Sequence, residues 1–350
     1  MFLSSPSSAA GKLFHLVVWV SLVCVVGCDG NKSPIDISNT PLPDGVTFLN
    51  WNDVLDACMA QPGWQGRLDE LNQADSVFWR IWCEDILLLG EAQDSTSIAM
   101  IPQFMQAMKP MLEAIDSTSG DEQFLNQTEA NMALAMRRLK VMLPGLELPR
   151  IVWMPSGFNF GVYPAEGLLA VGLEWFIGDQ HPLLQTLPSS KFPAYRIQRM
   201  RPEWMASDAL RGWLAVEFQS TIGEKRRTAD MLLFWGKILH SLSLAMPEAS
   251  PAQLMNWSEE QWQWAMTHER SIWQELQPQD VMFSNSPREV MRWFQEGPFT
   301  RAGAIPQESP DRLGMFIGWR MVESHLTPET TTQELMLDTN PLPYLQSYRP

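Results

Sequence analysis

The chain has 350 residues, with 40 acidic against 25 basic side chains, a net charge of −15 and 45% hydrophobic content. Nucleic acid recognition needs clustered Lys and Arg to meet phosphates, so this balance excludes it and also disfavours adhesion to anionic lipid headgroups. The length suffices for one large folded body with a real core.

The first 27 residues read as an export signal. A polar start with the single cation Lys12 leads into the apolar run 13–26, which stops at Val25-Val26-Gly27-Cys28. That run is too short to span a bilayer as a mature helix. A thiol directly after a small residue and an aliphatic pair resembles bacterial lipoprotein signals, in which the cysteine is diacylated and the peptide is cut before it. Cys28 is therefore the expected lipidation site and the expected first residue of the mature chain, with two or more acyl chains giving a stable membrane anchor. Cys24, preceded by Leu22 and Val23, belongs to the signal core. Residues 28–46 follow as the lipidated cysteine and a tether, broken by Pro34, Pro41 and Pro43.

Residues 47–350 read as a single, mostly helical α+β domain. Cys58 and Cys83 are the thiols left after the anchor, and two readings stay open for them: a bridge worth about 3 kcal/mol, or two buried free thiols in apolar helices. Apolar faces at helical spacing appear over 77–89, 104–115, 125–143, 207–218 and 229–244. Two short apolar runs, 150–154 and 167–176, predict strands of a small central sheet, and 156–164 between them reads as a connection. Ser258 with Gln261 predicts a capping box opening a helix that carries Trp262, Met266, Ile272 and Leu276 on one side. Ser309-Pro310 and Thr327-Pro328 each predict a capping hydroxyl followed by proline at the first helical position. The 16 tryptophans recur mostly at helical spacing and read as core rather than as a sugar-stacking surface.

Reactive motifs are sparse. A zinc peptidase helix needs two His four apart with a Glu beside the first. His181, His240, His268 and His325 are far apart in sequence, and after His268-Glu269 the position of the second ligand is Ile272. There is no Gly-x-Ser-x-Gly elbow and no phosphate-cradling glycine loop. Adjacent acids such as Glu84-Asp85 and Glu259-Glu260 read as solvated faces. No catalytic residue, metal or cofactor is expected.

The run Glu308-Ser309-Pro310-Asp311-Arg312-Leu313-Gly314-Met315-Phe316-Ile317-Gly318-Trp319-Arg320-Met321-Val322 resembles the signature of the gliding motility lipoprotein family of the GldB type, found in Bacteroidota. Trp235-Gly236-Lys237, the segment 172–178 and the closing Ser347-Tyr348-Arg349-Pro350 are similar to that family as well, while Asp311 stands where its pattern has glycine. The resemblance implies a zincin-like fold without its metal ligands. It also implies an envelope lipoprotein facing the periplasm, inner or outer membrane left open, that serves gliding and associated protein secretion through envelope protein partners. In the signature, Gly314 and Gly318 form a smooth strip along which another helix or strand can approach closely, and Arg312 and Glu308 flank the helix start and are expected to hold it through a charged hydrogen bond. Glu308, Ser309, Arg312, Gly314, Gly318, Trp319 and Lys237 are the candidate partner-binding or structural residues. The competing expectation is a divergent metal-dependent envelope hydrolase, peptidase-like.

Overall fold

A computed structural model describes residues 35–37, 41, 46–60 and 63–350. The expected signal segment and Cys28 lie outside these residues, as does most of the expected tether; within it, Arg137 donates to the Ile37 carbonyl at 2.7 Å. No helix of the described residues is long and apolar enough to cross a membrane.

Strand β1 (Phe48–Asn50) runs into α1 (Trp51–Met59), whose first turn is capped by the Asn50 side chain. Helices α2 (Trp64–Ala74) and α3 (Ser76–Arg80) meet at Asp75, which accepts the Phe78 N–H. Asp94 and Asp121 likewise cap α4 (Ser95–Asp116) and α5 (Glu122–Met142). Strands β2 (Arg150–Met154), β3 (Val162–Ala165) and β4 (Leu168–Gly172) follow. The remainder is helical: α6 (Ala194–Ile197), α7 (Met205–Glu217), α8 (Thr228–Ala245), α9 (Pro251–Met255), α10 (Glu259–Leu276), α11 (Gln279–Met282), α12 (Pro287–Met291), α13 (Leu313–His325), α14 (Thr332–Leu337) and α15 (Leu342–Ser347).

The sheet has the order β1-β2-β4-β3, with β1, β2 and β4 parallel and β3 antiparallel on the edge. Val152 sits opposite Ala170 in the central pair. Ile151 to Met154 and all of β4 are buried, which is why these two strands read as continuous apolar runs rather than alternating ones. The fold is thus α+β and mostly helical around a small sheet, as expected.

Four local expectations are corrected. The segment 156–164 is not only a connection, because Val162–Ala165 forms β3; a four-residue edge strand containing Pro164 leaves no alternating pattern, and proline is tolerated at an edge. The face over 77–89 is not one α-helix: α3 passes into a π-helix over Ile81–Ile86, and Leu88 sits at φ +57°. Trp79 and Trp82 are buried there, and their indoles donate to the carbonyls of Ala92 and Pro155, so tertiary hydrogen bonds outweigh regular helical geometry. Thr327-Pro328 forms a turn, closed by Thr330 N–H to Thr327 O, and the next helix starts instead on a capping box of Thr331 and Glu334. Ser309-Pro310 also fails to start its helix, as described below.

Ser258 and Gln261 do form the expected capping box of α10. Most described tryptophans are buried, among them Trp51, Trp79 and Trp82, which pack edge-on or tilted at 6.0–6.4 Å. Cys58 and Cys83 are buried and unbridged, and burial together with Glu84 pushes the Cys83 thiol up to about 12. Such a thiol is a small hydrophobe, not a nucleophile.

Candidate functional site

The signature residues gather where α13 leaves its entry loop and crosses α8. Helix α13 begins at Leu313, after Arg312 in a left-handed conformation at φ +54°. Its first free N–H groups are satisfied from elsewhere in the chain. Thr300 Oγ accepts from Leu313 N–H and donates to the Pro310 carbonyl, while the Trp293 carbonyl accepts from Gly314 N–H at 2.9 Å. Ser309 therefore caps nothing; it is buried with its hydroxyl unpartnered.

Glu308 is exposed and does not hold Arg312. The neighbour that does is Asp311, fully buried, whose Oδ1 accepts from Arg312 Nε and Trp257 Nε1, both at 3.2 Å. Its Oδ2 accepts from Gly297 N–H at 2.9 Å and from Arg199 Nη2 at 2.6 Å. Burial alone would raise the Asp311 carboxyl, but Arg312 and Arg199 outweigh it and hold the group below its ordinary value. Arg312 also donates to the Met255 carbonyl at 2.7 Å, and Arg211 to the Leu254 carbonyl at 2.7 Å. Arg211 pairs in turn with Asp208. The end of α9 is thereby tied to α7 and to the loop before α13 through cations that meet orphan carbonyls.

The glycines are consumed by the crossing. A Cβ at Gly318 would overlap the Leu232 carbonyl of α8, and one at Gly236 would overlap the Gly318 carbonyl. A Cβ at Gly314 would likewise meet the Phe294 ring at 2.7 Å and the Trp293 carbonyl oxygen at 2.9 Å. Trp319 is buried against Trp262 at 5.7 Å, with its indole N–H unpartnered. The strip predicted from Gly314 and Gly318 is thus an internal seam.

Lys237, next to Gly236, is fully buried and donates to the carbonyls of Met336 (3.0 Å) and Asp338 (2.6 Å) and to Thr221 Oγ1 (3.2 Å). Burial lowers its ammonium to about 8, against the favourable charge of Asp338. It clamps the end of α14, while Tyr348, donating to a Glu269 carboxylate that also accepts from Arg320, fastens the chain after α15.

One group escaped the sequence reading. Glu174, in a 3-10 turn directly after β4, is wholly buried, and its Oε1 accepts from Ser156 N–H, Ser156 Oγ and Phe158 N–H at 2.7–2.9 Å. It holds the loop after β2, where Gly157 and Phe158 sit at φ +63° and +61°. Burial raises its carboxyl, opposed by those donors, and Oε2 has no partner. A lone acid in the run 172–178 gives no signal of this role.

The histidines are engaged locally. His181 accepts from Leu183 N–H, His268 stacks on Trp264 at 4.1 Å and meets its carbonyl, His325 meets Ser347, and His240 lies 3.9 Å from Glu323. Among the described residues no group of three His, Cys, Asp or Glu is placed to hold a metal ion.

A family model described as gliding motility protein GldB matches residues 31–350. No curated protein and no solved structure matches the chain, so the zincin-like part of the expectation has no support. The match takes in the sheet, the signature loop and every helix described above, and the chain belongs to the GldB family of gliding motility proteins.

Proposed function

We propose that this chain is a lipid-anchored envelope protein that supports gliding motility and the associated protein secretion through protein contacts, without chemistry of its own. The observation that carries the reading is the fate of the signature: within a gliding motility family, Arg312, Gly314, Gly318, Trp319 and Lys237 are spent on joining helices, and none presents a reactive group to solvent. A lipoprotein family and the Gly27-Cys28 junction support anchoring through Cys28 with the body on the periplasmic side.

The test is complementation in a gliding host that lacks this protein. Cys28→Ser is expected to leave a folded body that fails to restore spreading or secretion, whereas alanine at His181, His240 or His268 is expected to restore both. Loss of function at a histidine with the fold intact, or a stoichiometric zinc that survives dialysis of the purified protein, would replace this reading with a metal-dependent hydrolase.

A further inference from the structure

A groove of about 530 Å³ lies apart from the signature seam, bounded by the α5–β2 connection, the β3–β4 turn, the end of α7 and α14. Its volume falls in the range of about 300–1,000 Å³ typical of ligand sites. Leu143, Leu146 and Met336 form a buried apolar floor, with Phe218 half-buried beside them. Leu337 stands on the lip, 62% exposed.

The walls are acidic. Glu147, Glu166 and Glu217 come from three separate elements, and among the described residues none of them has an ion-pair partner within 4.0 Å. Cations nearby are already committed to the groove's own backbone: Lys140 donates to the Leu146 carbonyl at 2.8 Å, and Lys237 to that of Met336. Burial raises the Glu217 carboxyl, a hydrogen bond from Trp213 opposes the rise, and the charges of Glu147 and Glu166 add to it. Elsewhere in the chain, acids such as Asp75, Asp179 and Asp230 have arginine partners.

We propose that this groove docks a segment of a partner protein that presents Lys or Arg between apolar side chains. An apolar floor gives a bare divalent ion no oxygen ligands beyond the walls, and acidic walls repel anionic lipid headgroups. A long cationic side chain satisfies both surfaces at once, its stem lying on Leu143 and Leu146 while its head meets the carboxylates. The inference rests on the proposed role through protein contacts and adds the chemistry of the partner.

The test uses the full-length protein in detergent micelles and short fluorescein-labelled peptides read by anisotropy. One peptide carries arginines between leucines, a second has glutamine in place of each arginine, and a third keeps the arginines between serines. The first is expected to bind, and the other two to bind at least about tenfold more weakly. Each exposed charge pair is worth up to about fivefold, so Glu147→Gln, Glu166→Gln and Glu217→Gln combined should weaken the first peptide about tenfold or more. Leu337→Ser should weaken it as well, and Glu70→Gln, on the exposed face of α2, should not. Near-UV circular dichroism checks that the variants fold. Equal binding of the glutamine peptide, indifference to the triple variant, or a calcium titration that saturates the groove and leaves peptide binding unchanged would each overturn the inference. Any of these outcomes leaves the anchoring role standing, because that role is read from motility of the Cys28→Ser strain.

Discussion

Replacing Gly318 with alanine tests the seam between α8 and α13 directly. The added Cβ meets the Leu232 carbonyl oxygen, with the carbonyl carbon at 2.9 Å and Cα at 3.1 Å. These are backbone atoms of a helix buried nearly all round, so no side chain can swing aside and the two helices must part. Overpacking of this kind costs about 1–3 kcal/mol, and here the upper part of that range applies because main chain meets main chain. Alanine in a helix interior gives back about 1 kcal/mol relative to glycine. The expected net loss is about 2 kcal/mol, read as a lower urea midpoint by tryptophan fluorescence of the full-length protein. Gly66→Ala is the control: it sits in α2 with nothing within 4 Å of the new atom, and it should gain about 0.5–1 kcal/mol. Midpoints that move in the same direction for both variants would refute the close crossing.

Asp311→Asn should cost about 3–5 kcal/mol, because Arg199 and Arg312 would face each other in the interior without their shared counter-charge; a loss under about 1 kcal/mol by thermal or urea unfolding would contradict that network. Lys237 is lowered from its unfolded value of 10.5 to about 8, so between those limits the unfolded chain binds the proton that the folded chain has released, and stability should rise with pH by up to about 3 kcal/mol. Lys237→Met should lower stability at neutral pH, by leaving three acceptors unpartnered, and abolish that rise; a rise that persists in the variant would assign it to other groups. Glu174 is raised in the folded state, so its contribution is full below the unfolded carboxyl range and is lost as pH climbs through the folded value. Glu174→Gln keeps an acceptor for Ser156 and Phe158 and should flatten the fall in stability above the ordinary carboxyl range, measured as the difference in urea midpoint between variant and wild type; parallel pH profiles would refute the raised carboxyl.

How much of this was legible depended on whether a feature is local. The buried strands β2 and β4 announced themselves as apolar runs, although the run 167–176 leaves the sheet after Gly172 for a 3-10 turn, and the box at Ser258 and Gln261 spans four residues, so both read largely from the sequence. The same local logic failed at Ser309, because the cap of α13 comes from Thr300 and Trp293, which no pattern around Ser309-Pro310 reveals. It failed at Glu308 for a related reason: spacing made it a partner for Arg312, but the adjacent Asp311 is the acid buried with it. Glu174 looked like any acid in an apolar run until the ends of two parallel strands brought Ser156 beneath it.

These failures share a direction that bears on function. Residues that carry the resemblance turn inward: Arg312 pairs with the buried Asp311, Gly318 and Gly236 touch backbone to backbone, and Lys237 holds the end of α14. A signature so consumed explains the stability of one arrangement of helices, and a partner cannot reach it without opening the seam. On the proposed role, contacts with other envelope proteins come from the surface that this arrangement presents. Lys237 links the two, since the carbonyl it clamps belongs to Met336, on the floor of the acidic groove, and Leu337 on the lip is the next residue. Lys237→Met should therefore weaken binding of the arginine-leucine peptide even though Lys237 touches none of it, whereas Gly318→Ala, at equal loss of stability, should leave the groove and its peptide affinity unchanged at temperatures where both variants remain folded.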